Sequence, residues 1–598
     1  MTSSPGETEP PGGAAGRPAG PVVGPAAGQA AWPVLGWLRG YDRRWLRSDL
    51  VAGLTSWALV VPQAVAYGQI AGLTPPAGLA AAGAGPLGYA MLGTSRQLMV
   101  SPTSSTAAVS AALVGPMSGG DPGRFVALSA ALAIVMGAAL ALLGLLKMGF
   151  VSQFLAYSVQ VGFMFGLGLT IAVGQLPKVL GIPAAPEEGF FPALGYLLAN
   201  VGQTNPWTAA LGLGGLAALL LLSRLAPRAP AAIIVVGAGI LITAALGLSA
   251  RGVATVGAIP PGLPTPALPA VFWHDLLDLA PLAIVLAILG YAESASVAQD
   301  LATRHGYDVD PDRELIALGA ASGLAGLMQG FIVAGGASQS AANDRAGART
   351  QAASLVVAGL AVLTALFLTP LFFDLPEAVL GAIVLYAILG FFRVGALRRI
   401  AGLRRDGFAF ALFTLFAVLF LGVLTGLVLA VSLSLALLLA RVARPSVAVL
   451  GRAPRTGAGP GDAGDPGPPV YGDLAANPEL QALPGMLLVR PNGMVFFGSV
   501  RGVRQQVLDL ARRTTPPPRL VLLDLQLTPE LDVETADVLA ELRTTLAAGG
   551  VELWLAGAHS QVRDLLRRSG YQDGSAGSAA PIYPGLAQAV EAAARLQG

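Results

Sequence analysis

The chain has 598 residues, 54% of them hydrophobic and only 12% charged, with a net charge of +2. Charged residues are about half as frequent as the roughly 25% of a soluble domain, which makes lipid the solvent for much of the chain, and no basic excess marks a nucleic-acid partner. The absence of cysteine excludes disulfides, thiolate metal sites and iron–sulfur clusters, and His274, His305 and His559 stand too far apart for metal-ligand spacing, so neither metal chemistry nor enzymatic catalysis is expected.

Residues 1–31 are mainly Pro, Gly, Ala and Ser and read as a disordered tail without the pattern of a signal peptide. Trp32 to Leu50 then interleaves Trp32, Trp37, Tyr41 and Trp45 with Arg39, Arg43, Arg44 and Arg47, as suits a lipid headgroup region. Hydrophobic segments follow closely up to Arg444. The spans predicted are 50–72, 77–93, 103–117, 125–146, 154–176, 205–223 and 230–249, then 276–299, 314–330, 338–348, 350–372, 377–393, 407–422 and 424–441. Segments of roughly 20 apolar residues cross a bilayer, so residues 32–444 form a transmembrane domain of seven plus seven segments. The third segment of each half is short and follows a break rich in hydroxyls and glycine, VSPTSST at Val100–Thr106 and AGGASQS at Ala334–Ser340. Paired interruptions in corresponding places point to an inverted repeat with a transporter site at the breaks. Placing the N-terminus inside leaves Arg96, Lys147, Arg304, Arg345, Arg393, Arg398 and Arg444 on the inner face and only Arg124, Lys178 and Arg251 outside. The positive-inside rule therefore predicts a multi-pass protein of the cytoplasmic membrane with both termini in the cytoplasm.

Residues 445–484, Gly/Pro-rich around 457–469, read as a linker. Strands are predicted at 486–490, 494–497, 520–525 and 552–556 and helices at 499–513 and 533–548, an alternation that argues for a mostly parallel sheet in a separate domain at 485–575. A tail, 576–598, follows.

At the first break, Pro102 stops a helix from continuing backwards, so Gln97 to Ser101 is expected to be extended and Thr103 to open a half-helix. Gly335 and Gly336 play the same part before Ser338. Pairing the two extended pieces would satisfy their backbone, and the two half-helix N-termini would turn free N–H groups and positive dipole ends toward a shared space suited to an anion. Small residues at such breaks also serve close helix packing. Gln63 and Tyr67 lie four apart on one helical face, and Gln63 fits a ligand contact or an interhelical hydrogen bond equally. Glu293 is the only carboxylate well inside a predicted span. Taken out of water it binds a proton or needs a cation beside it, with pairing to a buried donor as the alternative.

Six stretches, SDLVAGL at Ser48–Leu54, PQAVAY at Pro62–Tyr67, LGTSRQL at Leu92–Leu98, RHGYDVDP at Arg304–Pro311, ELIALG at Glu314–Gly319 and NDRAGART at Asn343–Thr350, together resemble the sulfate permease anion transporters. The resemblance implies the 14-segment inverted-repeat fold of the uracil transporter, with a core and a gate domain, followed by a cytoplasmic STAS domain. It also implies a homodimer that moves sulfate, bicarbonate, chloride, oxalate or dicarboxylates without a cofactor. It places the anion on Gln63, Tyr67, Thr103, the adjacent Ser104, Ser338 and Gln339, and proton or sodium coupling on Glu293. Two departures stand out: many relatives carry Arg where this chain has Gln339, and 531–535 (LDVET) leaves only Thr535 near the serine that is phosphorylated in related antagonists. The expectation is a coupled, elevator-type carrier of sulfate or bicarbonate. The alternatives are an uncoupled anion channel or exchanger, or a regulator that binds a cytosolic protein through the STAS domain.

Overall fold

The computed structural model describes residues 34–150, 156–183, 185, 189–226, 231–262, 264–453, 469–571 and 581–597. The tail expected at 1–31 and most of the Gly/Pro run lie outside the described residues. The first half holds α1 (Leu46–Ile70), α2 (Pro75–Leu92), β1 (Val100–Ser101), α3 (Ser104–Ser118), α4 (Pro122–Leu145), α5 (Tyr157–Leu180), α6 (Phe190–Ala199), α7 (Pro206–Leu225) and α8 (Ala231–Leu246). The second repeats that order with α9 (Trp273–His305), α10 (Pro311–Leu327), β2 (Ala334–Gly335), α11 (Ala337–Arg345), α12 (Ala352–Leu363), α13 (Glu377–Ile388), α14 (Val394–Leu403), α15 (Arg405–Leu421) and α16 (Val423–Ala443). Helix starts are written plainly in the sequence. α4, α7 and α10 open on proline behind Asp121, Asn205 and Asp310, whose side chains accept first-turn N–H groups.

Fourteen spans were expected, the third of each half short, and seven of the described helices are long and apolar enough to cross a membrane by length and composition alone. Among the others, α3 and α11 are half-helices of 15 and 9 residues, and α2 and α10 have 18 and 17. Sequence reading also passed over α6 and α14, which occupy the same place in the two halves. Both are ten residues long, too short to span.

The helices sort into two packed groups. α1–α4 associate with α9–α12, while α5 and α7 associate with α13, α15 and α16. Glycine lets the backbones close up. A Cβ on Gly137 of α4 would lie 2.6 Å from the Gly319 carbonyl oxygen of α10, and one on Gly319 would lie 2.6 Å from that of Gly137. In the second group Gly162 of α5 leaves no room for any Cβ against Ala411 of α15. These groups are the expected core and gate, and the broken elements β1, α3, β2 and α11 belong to the core.

After α16 the chain builds a six-stranded sheet from β3 (Val447–Arg452), β4 (Tyr471–Asp473), β5 (Met486–Pro491), β6 (Leu520–Asp524), β7 (Glu552–Ala556) and β8 (Ile582–Tyr583), in the order β4-β3-β5-β6-β7-β8. The run β5 to β8 is parallel, and β3 is antiparallel to both of its neighbours. α17 (Val500–Arg513), α18 (Val533–Ala548) and α19 (Ser560–Arg568) cover the face that carries Val489, Val521 and Leu555. α20 (Leu586–Gln597) covers the opposite face with Ala589 and Val590 against Leu522 and Trp554. The sheet thus takes β3 and β4 from the stretch expected to be linker and β8 and α20 from the stretch expected to be tail, because both sheet faces are apolar and need covering. Residues 494–497, expected as a strand, form a loop. The N–H groups of Val495 and Phe497 donate to the Thr528 hydroxyl and the Asp532 carboxylate rather than to a neighbouring strand.

Candidate functional site

β1 and β2 pair antiparallel, Val100 opposite Gly335 and Ser101 opposite Ala334. The ladder is only two residues long, so the rest of the extended backbone needs other partners. Side-chain amides supply them. Asn343 donates to the Gln97 carbonyl at 2.9 Å, Gln351 to those of Ser95 and Leu98 at 2.7 and 3.0 Å, and the Ser340 hydroxyl accepts from Met99 N–H at 2.9 Å. Ser294 of α9 accepts from Gly335 N–H at 2.8 Å. Asn343 and Ser340 lie within the stretches singled out in the sequence, Gln351 and Ser294 outside them, and spacing gave no sign of any of these partners.

The two half-helices begin differently. Thr103 caps α3: its hydroxyl accepts from Thr106 N–H, and the Thr106 hydroxyl accepts from Thr103 N–H, each at 3.3 Å. α11 follows Gly336, which has no side chain to cap with. Its first-turn N–H groups therefore face the cavity without a capping side chain, beside the exposed Ser338.

Gln339, expected to contact the anion, is 1% exposed and works as a cross-brace. Its carbonyl oxygen accepts from Ser101 Oγ at 2.7 Å, and its amide nitrogen donates to Gln63 Oε1 and to the Pro102 carbonyl, both at 3.0 Å. The brace folds back over Gly336, where a Cβ would collide with the Gln339 side-chain oxygen. Gln63 stands behind the brace and does not line the cavity. Tyr67, Thr103, Ser104, Glu293, Ser338 and part of Gln339 do line it, around a volume of about 120 Å³. That is room for a small ion with several waters. Ser105 donates to Glu293 Oε2 at 3.1 Å, which is the one hydrogen bond found for that carboxylate among the described residues. No group of three or more His, Cys, Asp or Glu able to hold a metal occurs among the described residues.

Four polar lining residues, Ser105, Tyr157, Gln160 and Arg393, escaped sequence reading. Ser105 was legible as one more hydroxyl of the break. Gln160 on α5 is a polar amide in an apolar helix, the same signal that flagged Gln63. Arg393 carries no such mark, since it reads as one more inner-loop cation. In the sheet domain, Thr535 is buried and donates to Asp532 Oδ2 at 2.9 Å, so the hydroxyl left in that loop is enclosed.

Comparison with known proteins agrees with this architecture. The Sulfate permease family model matches residues 46–414 and the STAS domain model residues 477–589. A probable sulfate transporter of Mycobacterium tuberculosis is 37% identical over 535 residues, covering 90% of this chain and 93% of that protein. High affinity sulfate transporter 2 of Stylosanthes hamata is 29% identical, covering 90% and 82%. Among solved structures, murine Solute Carrier 26 family member A9 superposes with a TM-score of 0.82 at 24% identity, over 94% of each chain. The transmembrane domain of the cyanobacterial bicarbonate transporter BicA does so with a TM-score of 0.58 at 26% identity, over 65% of this chain and 98% of that one. The chain belongs to the sulfate permease family, as a multi-pass membrane anion transporter with a C-terminal STAS domain.

Proposed function

We propose that this protein carries sulfate or bicarbonate, held between the N-termini of α3 and α11 with Tyr67, Ser104 and Ser338 around it, and that Glu293 couples the movement to protons or sodium. The observation behind this reading is that Glu293, with its single hydrogen bond from Ser105, lines the same cavity as both half-helix N-termini. A dianion beside an ionised carboxylate is repelled, and a proton or sodium ion on Glu293 removes that repulsion. Binding of the anion and of the cation are then mutually favourable, which is the thermodynamic content of symport. Gln63 and Gln339 act one layer back, fixing the approach of α1 to the two breaks. Names among relatives support sulfate and bicarbonate as first candidates. Movement of the core past the gate, a homodimeric assembly in the cytoplasmic membrane and cytoplasmic termini complete the proposal.

Radiolabelled sulfate, bicarbonate and fumarate uptake into proteoliposomes, with imposed proton or sodium gradients, tests it. The expected result is accumulation of sulfate or bicarbonate above equilibrium that depends on one of the two cations. Gradient-independent equilibration would replace coupled uptake by the exchanger or channel reading.

A further inference from the structure

The core elements of the cavity are almost without fixed positive charge. Gln339 is neutral and spent on Ser101, Pro102 and Gln63, and Thr103, Ser104, Ser105 and Ser338 supply only hydroxyls. Among the described residues that line the cavity, the one cation is Arg393, and it comes from the gate. It stands where α13 ends and α14 begins. Two tight turns fix it there: Arg393 N–H donates to the Phe391 carbonyl at 2.9 Å and Val394 N–H to that of Phe392 at 2.8 Å. Phe392 holds this turn to α5, its ring edge-on to Phe165 at 5.5 Å between centroids and seated over Gly168.

The guanidinium is exposed, and none of the ion pairs found among the described residues includes it. Nearby gate cations differ: Arg404 and Arg441 both approach Asp406, at 3.4 and 4.0 Å. Arg393 and Glu293 line the same cavity, and none of the ion pairs found among the described residues joins them. A planar guanidinium with five donors and no ion-pair partner found among the described residues, lining the same cavity as the uncapped start of α11, suits an oxyanion that can accept two parallel hydrogen bonds.

We propose that Arg393 is the fixed cation of the anion site, supplied by the gate, and that it favours a dianionic oxyanion over a monoanion. This inference rests on the proposed anion site between α3 and α11. Its consequence is asymmetry: if the core carries its half-helices past the gate, the Arg393 contact exists only while the cavity faces this part of the gate, so anion affinity differs between the two sides. A single fixed charge acts twice as strongly on sulfate as on a monoanion at the same distance.

The natural lack of cysteine allows the charge to be switched in the folded protein. Purified full-length Arg393→Cys would be titrated with sulfate and with bicarbonate, before and after reaction with a cationic or an anionic methanethiosulfonate reagent, with Arg393→Gln and Ser338→Ala in parallel. The expected result is a loss of sulfate affinity of about tenfold or more in Arg393→Cys and Arg393→Gln, the scale of a lost charge-assisted hydrogen bond. The loss for bicarbonate should be several-fold smaller. The cationic adduct should regain most of the sulfate affinity, the anionic adduct should lose more, and sulfate should slow the labelling. Equal sulfate affinity in wild type, Arg393→Gln and both adducts, with Ser338→Ala still weakened, overturns the role of Arg393 and leaves the half-helix site standing. Unchanged affinity in Ser338→Ala as well overturns the site itself.

Discussion

Two carboxylates in the core show how differently the same group can be used. Glu314, in the first turn of α10, is 1% exposed and accepts four hydrogen bonds: from Tyr89 Oη at 2.7 Å, Thr94 N–H at 2.8 Å, Thr94 Oγ1 at 2.7 Å and Ser95 N–H at 3.2 Å. Glu293, in the middle of α9, is half-buried, has one such bond and faces a cavity. A carboxylate with all its lone pairs engaged has nothing left for a ligand and serves to fix the chain, here the turn that leads from α2 into the first break. A carboxylate left short of donors beside a cavity is available to a proton, a metal cation or a substrate. Burial alone would have ranked Glu314 as the functional group. Counting donors reverses the order.

The largest effects expected follow from that contrast. Glu293→Gln should abolish gradient-driven accumulation, because an amide neither cycles a proton nor holds sodium, and should leave thermal unfolding in detergent close to wild type. Concentrative uptake surviving in that variant would remove Glu293 from coupling. Glu314→Ala should do the converse. It strands the Tyr89 hydroxyl and the Thr94 and Ser95 donors, and with hydrogen bonds to charged groups contributing about 1.5–3 kcal/mol each, destabilisation of at least ~3 kcal/mol is expected. A large drop in unfolding temperature and yield would show it. If Glu314→Ala were stable and inactive while Glu293→Gln unfolded, the two roles would have to be exchanged.

Much of the architecture was legible because the membrane imposes it. Apolar runs and the two breaks at Val100–Thr106 and Ala334–Ser340 are local signals, and they gave the two halves and the paired half-helices. The sheet domain announced itself through Leu520–Asp524 and Glu552–Ala556, short apolar runs between helical patterns. What stayed hidden depends on contacts distant in sequence. That Gln339 braces Gln63 and Ser101 while only part of it lines the cavity is decided by partners 276 and 238 residues away. The roles of Asn343 and Gln351 in satisfying the first break are of the same kind. α14 passed for a loop because it is only ten residues long with Arg398 and Arg399 at its centre, too short and too interrupted to read as a span, and Arg393 passed for a loop cation with it.

A smaller effect should separate the two half-helices. Thr103 spends its hydroxyl on Thr106, Ser105 and its own cap, whereas Ser338 stands exposed at the uncapped start of α11. Ser338→Ala should weaken anion affinity by roughly tenfold, about 1.5 kcal/mol, with little change in stability. Thr103→Ala should instead cost about 1 kcal/mol of stability through the lost cap and change affinity less. Calorimetric titration and thermal unfolding of both variants read the two quantities separately. Equal affinity losses would mean that α3 presents its N-terminus to the anion as openly as α11 does.

The smallest effect expected concerns a carboxylate of the Glu314 kind placed where water can reach it. Asp532 begins α18 and is only partly buried, and it accepts from the N–H and hydroxyl of Thr535 and from Phe497 N–H at 2.8, 2.9 and 2.8 Å. Burial pushes its carboxyl up, but these donors outweigh burial and hold it below the usual range. A depressed folded value means that the ionised cap adds stability above the unfolded pKa of about 3.9, and that this contribution is lost as the pH falls through the folded value. Asp532→Ala should therefore cost about 1 kcal/mol near neutrality, within the range of a lost N-cap and well short of Glu314→Ala, because water can replace part of what is removed. The difference from wild type should shrink as the pH is lowered through that depressed folded value. Amide hydrogen exchange at Thr535 in the full-length protein measures it directly, since that N–H donates to Asp532. Loss of protection as large as that caused by Glu314→Ala at Thr94 would show that donor count, and not water access, sets the cost of removing such a carboxylate.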